Sequence, residues 1–570
     1  MRFLRMLTNS LLAGALGAAY LTVLVLQLNP EIPLLSSTTW RWFMTLGLLY
    51  GVHLAVTFYV VMMVREFFAL ETLSPGWASV RVLAWMAAAA AACAAVLMWL
   101  NVRGFAPALS DVASRRMTAG AIATTISAVV LLGIAIAHFS FGRRGSRVVA
   151  SLFVLAACAS LGLPLAARGL GSAALPPIHD ERPAAVDREP GPRVLMLLLD
   201  GGSLEYVVPR VAEGRLPAFA RLLEKGARMD LATIRPTQPN PVWAAVATGM
   251  YPAKNGIRSA ASYRAKGDDR AVDLLPDHCL SHVLVRLGVV DDEPHSSSAW
   301  RARPLWSILS TSGITSGIVR WPLTYPAPAV HGFVVSDRFH QLVGSIADFD
   351  RAAYPADILP IVEAAALAAP IESPGDLPPE ISAMARDRLY SGVMRELGER
   401  TMPRLAAVRY EGLDTVGHYY LKYTEPRAVR EVPETERRRL LQVLDQYYTF
   451  IDGEIGAALG AMSPSDLLVV VSGFGMQPIT PLKQAIGRLF RDPDFSGTHE
   501  RAPDGFLLAY GAAVEPGRQQ RGSIVDVTPT LLYFLGLPIG RDMDGFARAD
   551  LFTRAFTAER PIAFIPSYGR

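Results

Sequence analysis

Asp414 and His418 stand four residues apart in Asp-Thr-Val-Gly-His, directly after an apolar run. A turn or helix start at that place would aim both side chains at one ion. His499 follows Gly497-Thr498 far downstream and offers a second imidazole. One carboxylate and two imidazoles form a set of the kind that holds zinc with a fourth position open. The same spacing also arises by chance, and a lone histidine is more often a hydrogen-bonded surface or core residue. Asp200 ends the apolar run RVLMLLLD and precedes Gly201-Gly202. This is the pattern of a buried strand that presents a carboxylate at its C-terminal edge, where ligands collect in open sheets.

Residues so far apart in sequence need a sheet to gather them. The runs RLAAVRYEGLD (404–414), DLLVVVSG (466–473) and GFLLAYG (505–511) read as further strands, two of them ending where chemistry could sit. LPAFARLLEKGA (216–227) has helical spacing and a Gly stop, and IVDVTPTLLYFLGLP (524–538) reads as turn, helix and Gly-Pro stop. The alternation predicts an α/β domain over 193–570, with a central, mostly parallel sheet sandwiched by helices. Segments 258–305, polar and irregular, and 340–385, rich in Pro and Ala, are expected as insertions over the strand tips. Trp243 and Trp321 are expected as packing aromatics near the site floor. Asp542 and Asp544 are read as turn residues, and His331 and His340 as residues near the second insertion.

The chain has 570 residues, of which 51% are hydrophobic and 19% charged, too apolar for one soluble globule. The excess lies before residue 170, in runs near 8–28, 42–64, 82–100, 117–137 and 148–167, each close to the ~20 residues that cross a bilayer core as helix. Residues 1–170 are therefore predicted to form an all-α membrane domain of about five helices, with the lipid bilayer as its partner. Arg2, Arg5, Arg65, Arg81, Arg143, Arg144 and Arg147 would lie inside, against Arg41, Arg103, Arg115 and Arg116 outside. With the N-terminus inside, five spans and the linker 171–192 deliver the large domain to the periplasmic or extracellular face. His53 falls within the second span as either a functional group or an imidazole bonded inside the bundle. Cys93 and Cys158 fall in predicted spans and Cys279 is alone in the outer domain, so that domain has no internal disulfide. A net charge of +4 without a basic run gives no footprint for nucleic acid.

Order and spacing over 193–548 add a resemblance. LLLDG, the ATG-x-x-P-x-x-x-GI segment at 247–257, D-x-x-x-H at 414–418, G-T-H at 497–499 and D-x-x-P-T-L-L-x-x-L-G-L-P at 526–538 resemble the type I phosphodiesterase and nucleotide pyrophosphatase branch of the alkaline phosphatase superfamily. The resemblance implies two zinc ions with a phosphate between them. One would use Asp414, His418 and His499. The second would use Asp200, a nucleophilic Thr or Ser, and an Asp-His pair. Here the nucleophile position holds Pro239, the Asp-His pair is Gly473-Phe474, and the histidine often preceding Gly-Ile is Asn255. One zinc site is complete, and the second lacks both ligands of the pair.

Three readings follow. The first is a membrane-anchored phosphoester or sulfoester hydrolase in which Thr237, two residues from the usual position, supplies the hydroxyl, or a water on one ion attacks, with Asp200 as base or ligand. The other reading of Thr237 is a turn residue beside prolines. The second is an envelope phosphoethanolamine or glycerol-phosphate transferase acting on a lipid headgroup, a reading carried by the layout alone. The third is a noncatalytic binding module.

Overall fold

The computed structural model describes residues 1–68, 77–141, 147–178, 183, 191–276, 281–342, 348–368, 378–424, 434–480, 483–485 and 495–569. The expectation for Cys279 lies outside these residues. The chain divides into two compact units, 1–174 with 261–294, and 175–260 with 295–570.

The first unit begins with α1 (Arg2–Leu28), α2 (Ser37–Leu46), α3 (Val52–Phe68), α4 (Val80–Phe105), α5 (Asp111–Phe141) and α6 (Arg147–Arg168). A π-helical turn, Gly47–Gly51, joins α2 to α3, so the six helices provide five segments long and apolar enough to cross a membrane. Small residues let them pack closely, as Ala84, Ala87, Ala88, Ala91 and Ala94 of α4 do in one buried cluster with Tyr20, Ala128 and Leu131. His53 is exposed on the outside of this unit, and its Nδ1 meets the Leu49 carbonyl one turn back, so it does not bond inside the bundle.

Residues 261–294 depart from the expected insertion over the strand tips. They carry the antiparallel hairpin β3 (Ala261–Ala265) and β4 (Val290–Pro294), and their apolar side chains Val272, Leu275, Leu284 and Val290 share a core with Val25, Trp42 and Leu46. The Asn29 side chain ties the two parts, accepting from the Asp273 and Leu274 amides at 3.0 Å and donating to the Leu274 carbonyl at 2.8 Å. The polar composition of 258–305 concealed these four anchors.

The second unit is built on a ten-stranded sheet. Its strands are β1 (Val194–Leu199), β2 (Ala227–Ala232), β5 (Ser316–Val319), β6 (Gly332–Val335), β7 (Ala353–Tyr354), β8 (Leu405–Tyr410), β9 (Leu467–Phe474), β12 (Asp504–Tyr510), β13 (Gly517–Arg518) and β14 (Gly522–Ser523). The small strands β10 (Gln477–Pro478) and β11 (Gly497–Thr498) pair separately. The order β13-β2-β12-β9-β1-β8-β5-β6-β7, with β14 beside β2, is parallel from β9 to β6, while β12 and β7 join antiparallel. Apolar cores lie on both faces, one holding Met196, Trp243 and Val469, the other Leu197, Phe219 and Tyr447. Continuous apolar strands are what such two-sided burial requires. Register then sets the site: Leu199 pairs with Tyr410 on one side and Ser472 on the other, so Asp200, Glu411 and Gly473 share one level at the strand tips.

Candidate metal centre

Beyond β8 the chain turns at Glu411 into the helix Gly412–Tyr420, which places Asp414 in its first turn and His418 one turn later. His499 directly follows β11. Asp414, His418 and His499 each offer a ligand atom, and these atoms lie within 4.8 Å of one another. His418 Nε2 is 3.4 Å from Asp414 Oδ2, and His499 Nε2 is 3.8 Å from Asp414 Oδ1.

Both rings are oriented from behind. His418 Nδ1 bonds the Gly497 carbonyl at 2.9 Å, and His499 Nδ1 bonds the Thr237 carbonyl at 2.8 Å. A proton held on Nδ1 leaves each Nε2 lone pair directed at the shared space, the arrangement that fixes the tautomer of metal-ligating histidines. Asp414 Oδ1 is buried and has no hydrogen-bond partner among the described residues. An unpaired buried carboxylate oxygen facing two imidazole lone pairs fits a cation. Burial pulls the His418 imidazolium down, but Asp414 and the Gly497 carbonyl more than offset this, so the ring titrates above its ordinary value.

Asp200 is not in this group. It is fully buried, and its Oδ1 accepts from Trp243 Nε1 at 2.7 Å and from Arg409 Nε at 3.0 Å, while Oδ2 takes Arg409 Nη2 at 2.5 Å. Burial pushes the Asp200 carboxyl up. Against the same penalty, Asp200 and Glu411 hold the Arg409 guanidinium protonated above its usual range. The carboxylate expected as base or ligand is thus committed to a guanidinium and an indole.

The neighbouring space is closed as well. A Cβ on Gly473 would lie 2.4 Å from Val242 Cγ1, so no aspartate fits there without moving that side chain. Phe474 is buried and its ring packs 5.1 Å from that of His499. Pro239 opens the helix Pro239–Thr248 at a position where a missing N–H costs nothing. Thr237 is 1% exposed, and its hydroxyl donates to the Ile234 carbonyl at 2.8 Å, facing away from solvent. What Thr237 gives the centre is its carbonyl, which orients His499. Asn255 is a buried loop staple that donates to the Met250 carbonyl and accepts from the Ile257 amide.

Residues 194–522, more than half of the chain, match the family described as type I phosphodiesterase / nucleotide pyrophosphatase. The chain belongs to that family. No curated protein matches it. Among solved structures, this phosphodiesterase-family chain is similar to murine ectonucleotide pyrophosphatase / phosphodiesterase 5, an inactive variant in complex with AMP. The identity is 12%, covering 64% of this chain and 100% of that one, with a TM-score of 0.39. The human counterpart matches at 13% identity over 63% and 100% of the two chains, also at a TM-score of 0.39.

Beside the metal centre this phosphodiesterase-family fold carries a charged cluster that sequence reasoning missed. Arg320 is buried and pairs with Asp387 and, at 2.9 Å, with the partly exposed Glu411. Tyr447 donates to Asp387, and His340 meets the Tyr390 hydroxyl at 2.8 Å. The Arg320 and Arg409 guanidiniums hold the Glu411 carboxyl below the usual carboxylate range, at about 2. The available signal was an arginine inside each of two otherwise apolar strand regions, GIVR and LAAVRY, since a buried guanidinium must find a carboxylate.

Proposed function

We propose that this chain is a membrane-anchored, single-metal phosphoester domain of the phosphodiesterase family. It holds one divalent ion, zinc by donor type, on Asp414, His418 and His499, and uses it to bind the phosphoryl or sulfuryl group of a small molecule or lipid headgroup. The reading places the domain on the periplasmic or extracellular side, with no nucleic-acid partner. The observation that supports it most is the buried, unpartnered Asp414 Oδ1 facing two histidines anchored through Nδ1. A bound ion would supply Lewis-acid polarisation of the ester and activation of water. Thr237 and Asp200 do not serve as nucleophile and base in this reading, because both are engaged elsewhere.

A second reading, hydrolysis by solvent at the same centre, is favoured by one observation. The three side chains keep 14% to 22% of their surface exposed, so water reaches them. The experiment uses full-length protein in detergent with zinc, a phosphonate analogue of a phosphodiester, and a chromogenic phosphodiester. Zinc-dependent binding that is lost in His418→Ala and kept in Thr237→Ala supports the proposal. Zinc-dependent turnover that also survives Thr237→Ala moves the chain to the second reading. Loss of turnover in Thr237→Ala with zinc binding and analogue binding both kept would show that the hydroxyl attacks and would overturn both.

A further inference from the structure

The helix Gly412–Tyr420, which carries Asp414 and His418, starts against a buried carboxylate from another part of the fold. Asp387 lies in the helix Pro379–Thr401 and is fully buried. Its Oδ2 accepts from the Gly412 amide at 3.1 Å and from the Tyr447 hydroxyl at 2.5 Å. Its Oδ1 accepts from the Glu411 amide at 3.3 Å and from Arg320 Nη1. The first amides of a helix have no partner within it, and that end favours negative charge. Glu411 stands at the N-cap, but its own side chain turns to Arg320 instead of capping the helix. Asp387 therefore caps the metal-bearing helix from outside.

The carboxylate is itself fixed from two directions. Arg320 follows β5, and Tyr447 comes from the helix Glu434–Ala461. A Cβ on Gly412 would lie 1.5 Å from Tyr447 Oη, so glycine at the helix start is what admits that hydroxyl. The helix has nine residues, so where its first amides are held decides where Asp414 and His418 stand. His499 is anchored separately, through Nδ1 on the Thr237 carbonyl. The two halves of the trio thus depend on independent supports. Asp452 offers a matched comparison. It is also a buried carboxylate that takes two amides at a helix start, Ala218 at 3.2 Å and Phe219 at 2.8 Å, but that helix, Pro217–Lys225, carries none of the three candidate ligands.

We infer that Asp387 is a positioning residue for the metal centre, holding the helix that presents Asp414 and His418 to the ion. The inference rests on the reading that the trio binds a divalent cation, and titration with cobalt(II), followed by its visible absorption, tests the two separately. Full-length protein in detergent is titrated as wild type, Asp387→Asn, Tyr447→Phe and Asp452→Asn, and the thermal midpoint of each is measured without metal. Asp387→Asn keeps the volume but turns one acceptor oxygen into a donor, so at least one helix-start contact is lost. Cobalt should then bind roughly 10–100-fold more weakly, with a changed visible band, as when a group that orients a ligand is removed. Tyr447→Phe should weaken binding in the same direction by less. Asp452→Asn should lower the midpoint and leave cobalt affinity unchanged, which separates positioning from stability. Tyr447→Phe keeps the Arg320 pair and carries the test if Asp387→Asn fails to fold. Affinity unchanged in Asp387→Asn, or in Tyr447→Phe where that alone folds, would overturn the inference, as would an equal loss in Asp452→Asn. A wild type that takes up no cobalt would overturn the metal reading and the inference with it.

Discussion

At the scale of single residues, Arg409 decides what Asp200 is free to do. It lies on β8, beside Leu198 of β1, and its guanidinium meets a carboxylate 209 positions away in sequence. Removing one partner of a buried pair strands the other charge. Arg409→Leu should therefore cost about 3–5 kcal/mol, whereas Arg409→Leu with Asp200→Leu should cost less than either single change. Denaturant unfolding of the three variants measures this, and additive losses would contradict it. His340 carries a pH prediction. Burial, with Arg320 and Arg386 nearby, depresses its ring to about 4 from an ordinary 6.5. Between those values the unfolded chain holds a proton that the folded chain refuses. This contribution is therefore complete above pH 6.5 and is lost as pH falls towards 4, by ~3 kcal/mol at most. His340→Gln should flatten stability across that window, and an unchanged slope would refute the assignment. That Asp414, His418 and His499 come together was legible because Asp414 and His418 sit at helical spacing after a strand. The roles of Thr237 and Asp200 were not, because a hydroxyl's direction and a cross-strand ion pair depend on register that composition does not reveal.

At the scale of elements, the strands β1, β8, β9 and β12 were legible as continuous apolar runs, since two-sided burial leaves little room for alternation. The membrane-length helices were legible for the same reason. The hairpin segment 261–294 was not, because its apolar anchors, Val272, Leu275, Leu284 and Val290 among them, are dispersed among charges. Its ends suggest a direct test. The His295 amide donates to the Ala260 carbonyl at 3.3 Å, so the two ends are neighbours. A detached 190–570 fragment should aggregate through the exposed hairpin. The same fragment with 261–294 replaced by a short Gly-Ser linker should be soluble and monomeric by size exclusion with light scattering. A soluble fragment that still contains 261–294 would show that this segment needs no partner helices.

At the scale of the whole molecule, five membrane-length segments precede a domain that gathers the candidate ligands Asp414, His418 and His499 and whose neighbouring space is filled by Arg409, Trp243, Val242 and Phe474. With the N-terminus inside, a reporter fused after the last residue should report the outer face, and a cytoplasmic signal would reverse the topology. The central claim is that this molecule holds one metal ion where its family resemblance implies two. Elemental analysis of purified full-length protein, loaded with zinc and then dialysed, tests it most directly. The account predicts one zinc per chain, lost in Asp414→Ala and His499→Ala and retained in Asp200→Asn. Two ions per chain, or one that Asp200→Asn removes, would contradict it.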